Sequence, residues 1–320
     1  MKNNKIPDAT TTKCGFVAII GAPNAGKSTL VNKLIGQKIS IVTNKVQTTR
    51  FPVRGIFIEE QAQVILIDTP GIFAASERLG RAMVASAWGG ATDADLLIHV
   101  VDAPSISRVL KSLEKKGDKL NFADVERVHE GLKTYRGNVI LALNKVDLID
   151  KPDLFDLAKT MFELGFYKDV MMISALSGNG LEQMKQKICH FMPIGPWHYP
   201  EDQVADLPLR LMAAEITREK VFLRLHEELP YLASVETENW KNNQDGSVRI
   251  DQTLFVGREG HKAIAIGKGG ETLKWISMNA RKEMCDSFER EVHLFLHVKV
   301  RENWMGDPRH YNDRGLDFNA

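Results

Sequence analysis

Phe16-Val17-Ala18-Ile19-Ile20-Gly21-Ala22-Pro23-Asn24-Ala25-Gly26-Lys27-Ser28-Thr29 is the stretch that decides the fold. Its unbroken apolar run predicts a strand buried on both faces, and residues 29–34 predict a helix. Between them lies G-x-x-x-x-G-K-S, a bend that turns successive backbone N–H groups toward one point. Gly21 and Gly26 permit backbone geometry and a close approach that a side chain would block. Such a bend cradles a phosphate chain; Lys27 would reach its outer phosphates and the Ser28 hydroxyl a divalent cation.

Working outward, residues 64–67, 96–101, 139–143 and 170–173 repeat the short apolar run, separated by longer helical patterns. That alternation predicts a doubly wound, mostly parallel α/β domain over residues 14–192. Residues 53–60 predict an extra strand at its edge. Residues 1–13 are polar and are expected to be poorly ordered. Four of the twelve prolines fall in residues 193–208, which predicts a linker. Residues 209–303 predict a smaller α+β domain: a helix over 209–228, strands over 231–240 and 247–256, and a closing strand over 292–300. Its amphipathic helix carries Leu273, Ile276, Ala280, Met284 and Phe288 at spacings of three and four. Residues 304–320 form a polar tail with no assigned role.

Three motifs follow the first one in the order such a domain needs. Asp68-Thr69-Pro70-Gly71 ends a predicted strand, so the Asp68 carboxylate would emerge beside the phosphate bend and hold the Mg²⁺ shell. Gly71 would offer its N–H to the γ-phosphate. Asn144-Lys145-Val146-Asp147 ends another strand, and the Asp147 carboxylate can accept both the N1–H and the 2-amino hydrogens of guanine. Adenine lacks those donors, so discrimination of about 10⁴ for GTP over ATP is expected. Ser174-Ala175-Leu176 would place a backbone N–H on the guanine oxygen. In Gln47-Thr48-Thr49-Arg50 one threonine should reach Mg²⁺; we favour Thr49, beside the arginine, over Thr48.

Expected contacts to GTP or GDP are therefore Gly21 to Thr29, Asp68 to Gly71, Asn144, Lys145, Asp147, Ser174, Ala175 and Leu176. The metal set is Ser28, Thr49 and Asp68, and the catalytic set is Asn24, Lys27, Thr49, Asp68 and Gly71. Ile72 stands where Ras-like GTPases carry the glutamine that orients water. Slow intrinsic turnover is expected, sped by a partner or by a K⁺ ion that Asn24 helps to bind. Ile72 also supports a second reading, an RNA-binding protein that keeps GTP as a structural ligand with little turnover.

Near the other end, Ile264-Ala265-Ile266-Gly267-Lys268-Gly269-Gly270 is a G-x-x-G loop that enters a helix. Such a loop lets the chain approach a sugar-phosphate backbone, with Lys268 neutralising a phosphate and bases lying in a groove beside it. Ile264 and Ile266 would line that groove. Arg258, Lys262, Lys268 and Lys274 face only Glu259 and Glu271 over this stretch, a modest positive patch.

The net charge of +1 excludes a general polyanion coat, so RNA contact must be local. Three scattered cysteines make neither a disulfide framework nor a zinc site and suit a reducing cytosol. No signal peptide and no membrane span are expected.

Together with Val256-Gly257-Arg258-Glu259-Gly260-His261-Lys262, these motifs resemble the Era family of bacterial GTPases over residues 15–301. The resemblance implies a Ras-like GTPase domain joined to a type II KH domain. It also implies a monomer that binds the 3′ end of 16S ribosomal RNA and assists maturation of the small ribosomal subunit. Cytoplasmic location with some peripheral contact at the inner membrane is implied as well. The helix predicted at 209–228 has four basic and four acidic residues, so it offers no basic face for that contact. Residues 106–133 read as longer than the family usually has, with a charged run (111–119) expected to be a solvated loop or helix extension.

Overall fold

The computed structural model describes residues 11–302, 304–312 and 314–320. Most of the N-terminal segment expected to be poorly ordered lies outside these residues. Contacts divide the chain into two units, Met1–Ser40 with Thr49–Asp206 and Arg314–Ala320, and Ile41–Thr48 with Leu207–Asp313.

The first unit runs β1 (Lys13–Ile20), α1 (Lys27–Ile35), β2 (Val53–Glu59), β3 (Ala62–Asp68), α2 (Arg78–Thr92), β4 (Leu96–Asp102), α3 (Ala103–Leu110), α4 (Asp118–Leu132), β5 (Asn138–Asn144), α5 (Lys151–Phe162), β6 (Asp169–Met172), α6 (Leu181–Phe191) and β7 (Ala205–Asp206). Its sheet has the order β6-β5-β4-β1-β3-β2-β7, with β1 parallel to both β3 and β4. The chain winds one way from β1 to β3 and the other way from β4 to β6. Loops from the carboxyl ends of these strands therefore diverge beside β1, where doubly wound sheets bind ligands. Burial explains the apolar runs: every residue of β3 is buried, as are all but the last of β4.

Two expectations need correction here. β2 is antiparallel to β3 as read, but it is not the edge, because Arg54 and Gly55 pair with Asp206 and Ala205 of β7. The proline-rich segment is not a free linker but a strap along this sheet. Fully buried Gln63 holds it, accepting from the N–H groups of His198 and Tyr199 and donating to the Tyr199 carbonyl. The amide of Cys14 donates to the Pro193 carbonyl at 3.0 Å. At the other end, Thr12 is buried and donates to the Gly195 carbonyl, so order begins inside the segment expected to lack it.

The long connection after β4 forms two helices, with the charged residues 111–117 as a mostly exposed turn between them. Asp118 sits between them and accepts from Arg108 Nε (2.7 Å) and Nη2 (2.8 Å), Ser105 Oγ (2.9 Å) and the Lys115 amide (2.8 Å). The charged residues 111–117 are the turn that this carboxylate closes.

The second unit contains α7 (Leu209–Arg224), β8 (Ser234–Asn242), β9 (Val248–Val256), α8 (Glu259–Ile266), α9 (Glu271–Phe288), β10 (Val292–Val300) and the short α10 (Arg309–Asn312). β9 is central, antiparallel to β8 and parallel to β10. Ile276, Ala280 and Met284 of α9 are fully buried, as the three-and-four spacing requires. α8, an element absent from the sequence reading, makes the G-x-x-G loop a helix-to-helix turn. The first helix ends at Arg224 rather than at residue 228, and β8 begins three residues later than expected.

Candidate nucleotide site and RNA groove

β1 delivers the chain into the phosphate bend, and the bend leaves no room for larger residues at its glycines. A Cβ at Gly21 (φ 150°) would meet the Val100 carbonyl oxygen at 2.3 Å, and one at Gly26 (φ 99°) would meet Asn144 Nδ2 at 2.2 Å. Lys27 is buried and donates to the carbonyls of Gly21 (3.1 Å) and Ala22 (2.8 Å), which holds its ammonium inside the bend. Burial pulls that ammonium down to about 8, against the opposing field of Asp68.

Ser28 Oγ lies 2.9 Å from Thr49 Oγ1, and Thr49 Oγ1 lies 3.4 Å from Asp68 Oδ2. Three oxygen-bearing side chains from α1, the loop before β2 and the end of β3 thus converge. Asp68 is fully buried, its carboxyl is pushed above the usual range by desolvation, and its Oδ1 has no hydrogen-bond partner. An all-oxygen set around an orphaned carboxylate oxygen fits Mg²⁺, which prefers hard ligands. Thr48 lies elsewhere: its hydroxyl meets Thr43 Oγ1 and the Lys45 carbonyl.

Thr69 and Gly71 fix the next loop. Thr69 donates to the Ile19 carbonyl at 2.7 Å, and a Cβ at Gly71 would crowd three Pro23 atoms at 3.1 Å. Ile72 is buried, and its amide donates to the Gly21 carbonyl.

At the base-binding end, Asn144 is a brace between two loops. Its Nδ2 donates to the Ala25 carbonyl (2.8 Å), and its Oδ1 accepts from the Ala175 amide (2.9 Å). Lys145 adopts φ 65° and spans from the Asn24 carbonyl to the Asp102 carboxylate. Asp147 and Leu176 are exposed above them, while Ser174 and Ala175 are buried beneath. The sequence reading missed Asp102, which also caps α3 by accepting from the Ser105 amide. Its signal was available as an acid ending an apolar strand just before Ala103-Pro104.

In the second unit, the G-x-x-G turn needs its glycines. Gly267, Gly269 and Gly270 all have positive φ, and a Cβ at Gly267 would strike Thr272 Oγ1 at 2.4 Å. Lys268 and Lys274 are exposed, and Lys262 pairs loosely with Glu259 at 3.7 Å. A groove of about 990 Å³ runs beside α8, lined by Arg258, His261 and Ile264 on one side and by Arg224 to Leu229 on the other. Ile264, 59% exposed, is the isoleucine that lines it. Ile266 lies at the end of α8, half-buried. The connection between α7 and β8 is the wall that sequence reading missed.

Comparison with known proteins agrees with this two-part geometry. Residues 16–145 match the family model described as 50S ribosome-binding GTPase, and residues 228–305 match the KH domain. The chain is 56% identical to GTPase Era of Caulobacter vibrioides over 309 residues, covering 97% of this chain and 98% of that protein. The chain belongs to the Era family of GTPases. Era of Maricaulis maris is 53% identical over 311 residues, covering 97% and 99% of the two chains. Among solved structures, Era in complex with MgGDPNP and nucleotides 1506–1542 of 16S ribosomal RNA matches with a TM-score of 0.85. Its identity is 35%, and the match covers 95% of this chain and 99% of that one. A point variant of Aquifex aeolicus Era bound to GDP and AlF4⁻ matches with a TM-score of 0.83, 34% identity and 95% and 99% coverage. This Era-family chain is thus a P-loop GTPase joined to a KH domain. The large-subunit name attached to the first model concerns only the GTPase half, whereas the Era likeness spans both halves.

Proposed function

We propose that this Era-family GTPase binds the 3′ region of 16S ribosomal RNA through its KH unit and assists maturation and assembly of the small subunit. GTP hydrolysis sets how long it stays bound. The carrying observation is that one chain pairs the Asn144-braced guanine site with the Gly267–Gly270 turn, and resembles Era bound to RNA along nearly its whole length.

In the reaction, a water oxygen bonds to the γ-phosphorus while the bond from that phosphorus to the β-bridging oxygen breaks. Products are GDP and phosphate, with the water proton passing to phosphate or solvent. Negative charge on the transferring group is met by the N–H groups of the phosphate bend, by Lys27 and by the Gly71 N–H. Mg²⁺, held by Ser28, Thr49 and the shell around Asp68, would supply positive charge to the transferring phosphate. Ser28 and Thr49 hold the cation directly, and Asp68 holds its shell. Asp147 accepts from guanine, Lys145 covers the base, and the Ser174–Leu176 loop presents a backbone N–H to the guanine oxygen. Ile72 has no polar atom and is buried, so its side chain cannot orient the water. Turnover in isolation is slow, and Asn24 would help hold a K⁺ ion supplying positive charge beside the phosphates.

Coupling to RNA follows from where one loop is anchored. Residues Ile41–Thr48 cluster with the KH unit. The Val42 amide donates to Glu219 of α7 at 2.9 Å, Lys45 donates to the Phe222 and Leu225 carbonyls, and Arg218 donates to the Thr48 carbonyl. Thr49, the next residue, belongs to the metal set. Holding or releasing Thr49 therefore pulls on a segment bonded to α7. The protein acts as a monomer in the cytoplasm, with peripheral contact at the inner membrane; no helix among the described residues is long and apolar enough to cross a membrane.

Phosphate release measured with and without small subunits, in Na⁺ and in K⁺ buffers, tests the reading. Stimulation by both subunits and K⁺ is expected. Equal rates in Na⁺ and K⁺ would remove the Asn24 ion, and indifference to subunits would leave GTP a mere structural ligand.

A further inference from the structure

The KH sheet has one face covered by helices; its other face is exposed along β10 and at Arg249, while Thr253 and Phe255 of β9 are buried on it. On β10, Leu294, Leu296, Val298 and Val300 pack inward. His293, Phe295, His297 and Lys299 alternate with them and are exposed. Three aromatic rings therefore stand in a row, two residues apart, at about 6.7 Å intervals. That interval is close to the reach of one extended nucleotide. β10 has a free outer edge among the described residues, so nothing from its own sheet crowds the row.

The neighbours suit a polyanion whose bases stack. Arg249, opposite His293, lays its guanidinium over the Phe295 ring at 4.3 Å. Phe295 remains 44% exposed beside that guanidinium, so part of its ring can be reached from solvent. The row across the sheet at this end is Lys241, Arg249 and His293, with no acid in it. The acids on this face are already bonded: Asp251 to Arg249, Glu238 to Lys299 and Glu236 to Arg301. A further acid, Asp245, lies near His293 and bonds Ser247, so Arg249 and Lys299 would be shared between these carboxylates and a phosphate. Toward the other end Arg301 stacks over Phe255 at 3.5 Å, and because Phe255 is buried the exposed row stops before it.

We propose that this open sheet face is a second single-stranded RNA surface, on which bases stack against His293, Phe295 and His297 while Arg249, Lys241 and Lys299 meet the backbone. It lies across the sheet from the helices that carry the G-x-x-G turn, so it would extend the length of RNA held by one KH unit. Stacking platforms of this kind tolerate any base, because every base has a π-face. The surface would therefore add affinity without adding sequence preference.

The test uses the full-length chain carrying Lys268→Asp and Gly269→Asp, which disables the turn, with fluorescein-labelled octauridylate followed by anisotropy at low salt. Residual binding is expected, weakened about 10-fold by Phe295→Ala, which falls within the range for losing one stacked base. Phe295→Tyr should keep it, and Phe295→Leu should lose it as alanine does. Ultraviolet crosslinks should fall on residues 292–300. No residual binding in the turn-disabled chain would overturn the proposal and leave the groove reading intact. Equal binding by Phe295→Ala and its parent, or full retention by Phe295→Leu, would also overturn it. So would a Phe295→Ala chain that binds octauridylate normally but loses affinity for the assembled subunit, since the face would then meet protein. If instead Lys268→Asp with Gly269→Asp leaves all binding unchanged, the groove reading fails and the open face carries the RNA alone.

Discussion

The Ser28 and Thr49 hydroxyls lie 2.9 Å apart although 21 residues separate them. The pairing gathers oxygens from two segments beside the buried Asp68 carboxylate, the donor set we propose for Mg²⁺. Thr49→Ala should leave GDP binding near normal while slowing hydrolysis at least 10-fold. Thr48→Ala, which removes only contacts to Thr43 and Lys45, should slow it far less. Single-turnover phosphate release on both variants checks this.

We propose that guanine selection rests on Asp147, which is exposed beside the loops braced by Asn144. Asp147→Asn replaces an acceptor with a group that can donate. GTP affinity should fall about 10³-fold or more, and xanthosine triphosphate should gain affinity in exchange. Calorimetry with both nucleotides measures the swap.

A buried pair of histidines predicts how stability changes with pH. His99 Nδ1 meets the Tyr167 hydroxyl at 2.8 Å, and His129 Nδ1 meets Glu126 at 2.9 Å. Both Nε2 atoms are buried without partners. Desolvation holds both imidazoles below the ordinary histidine range, His99 far below it, with Phe166 and Tyr167 packed around them. Below about pH 6.5 the unfolded chain binds protons that the folded chain refuses, so stability falls as pH drops, by up to about 1.4 kcal/mol per unit for each histidine. His99→Leu should flatten the slope of thermal midpoint against pH between 7 and 5.

Asp118 closes the turn between α3 and α4 with bonds to Arg108, Ser105 and the Lys115 amide. Asp118→Ala should cost about 2–3 kcal/mol of stability, because it strands hydrogen-bond donors, while GTP turnover stays close to wild type. Urea unfolding alongside a turnover assay separates the two effects.

Much of this was legible because the relevant chemistry is local. The apolar runs of β1, β3, β4 and β5 announce strands buried on both faces, and those of β1, β3 and β5 lead into motifs whose residue types have few other uses. The sites missed are those built by residues far apart in sequence. Gln63 reads as one polar residue in a strand, yet it organises the proline-rich strap 136 residues away through Tyr199. α8 escaped notice because eight residues with two isoleucines and a glycine carry no clear period. Lys145 and Asp102 form an ion pair across neighbouring strand ends, which no spacing rule reveals.

We propose that nucleotide state governs the grip on RNA: Thr49 would serve the cation, while the segment ending at Thr48 is anchored on α7. The most direct test is the affinity of the chain for a fragment of the 16S 3′ end, compared between MgGDPNP and MgGDP at fixed salt. Tighter binding with MgGDPNP, by at least about 5-fold, is the predicted result. Equal affinity in the two states would contradict it.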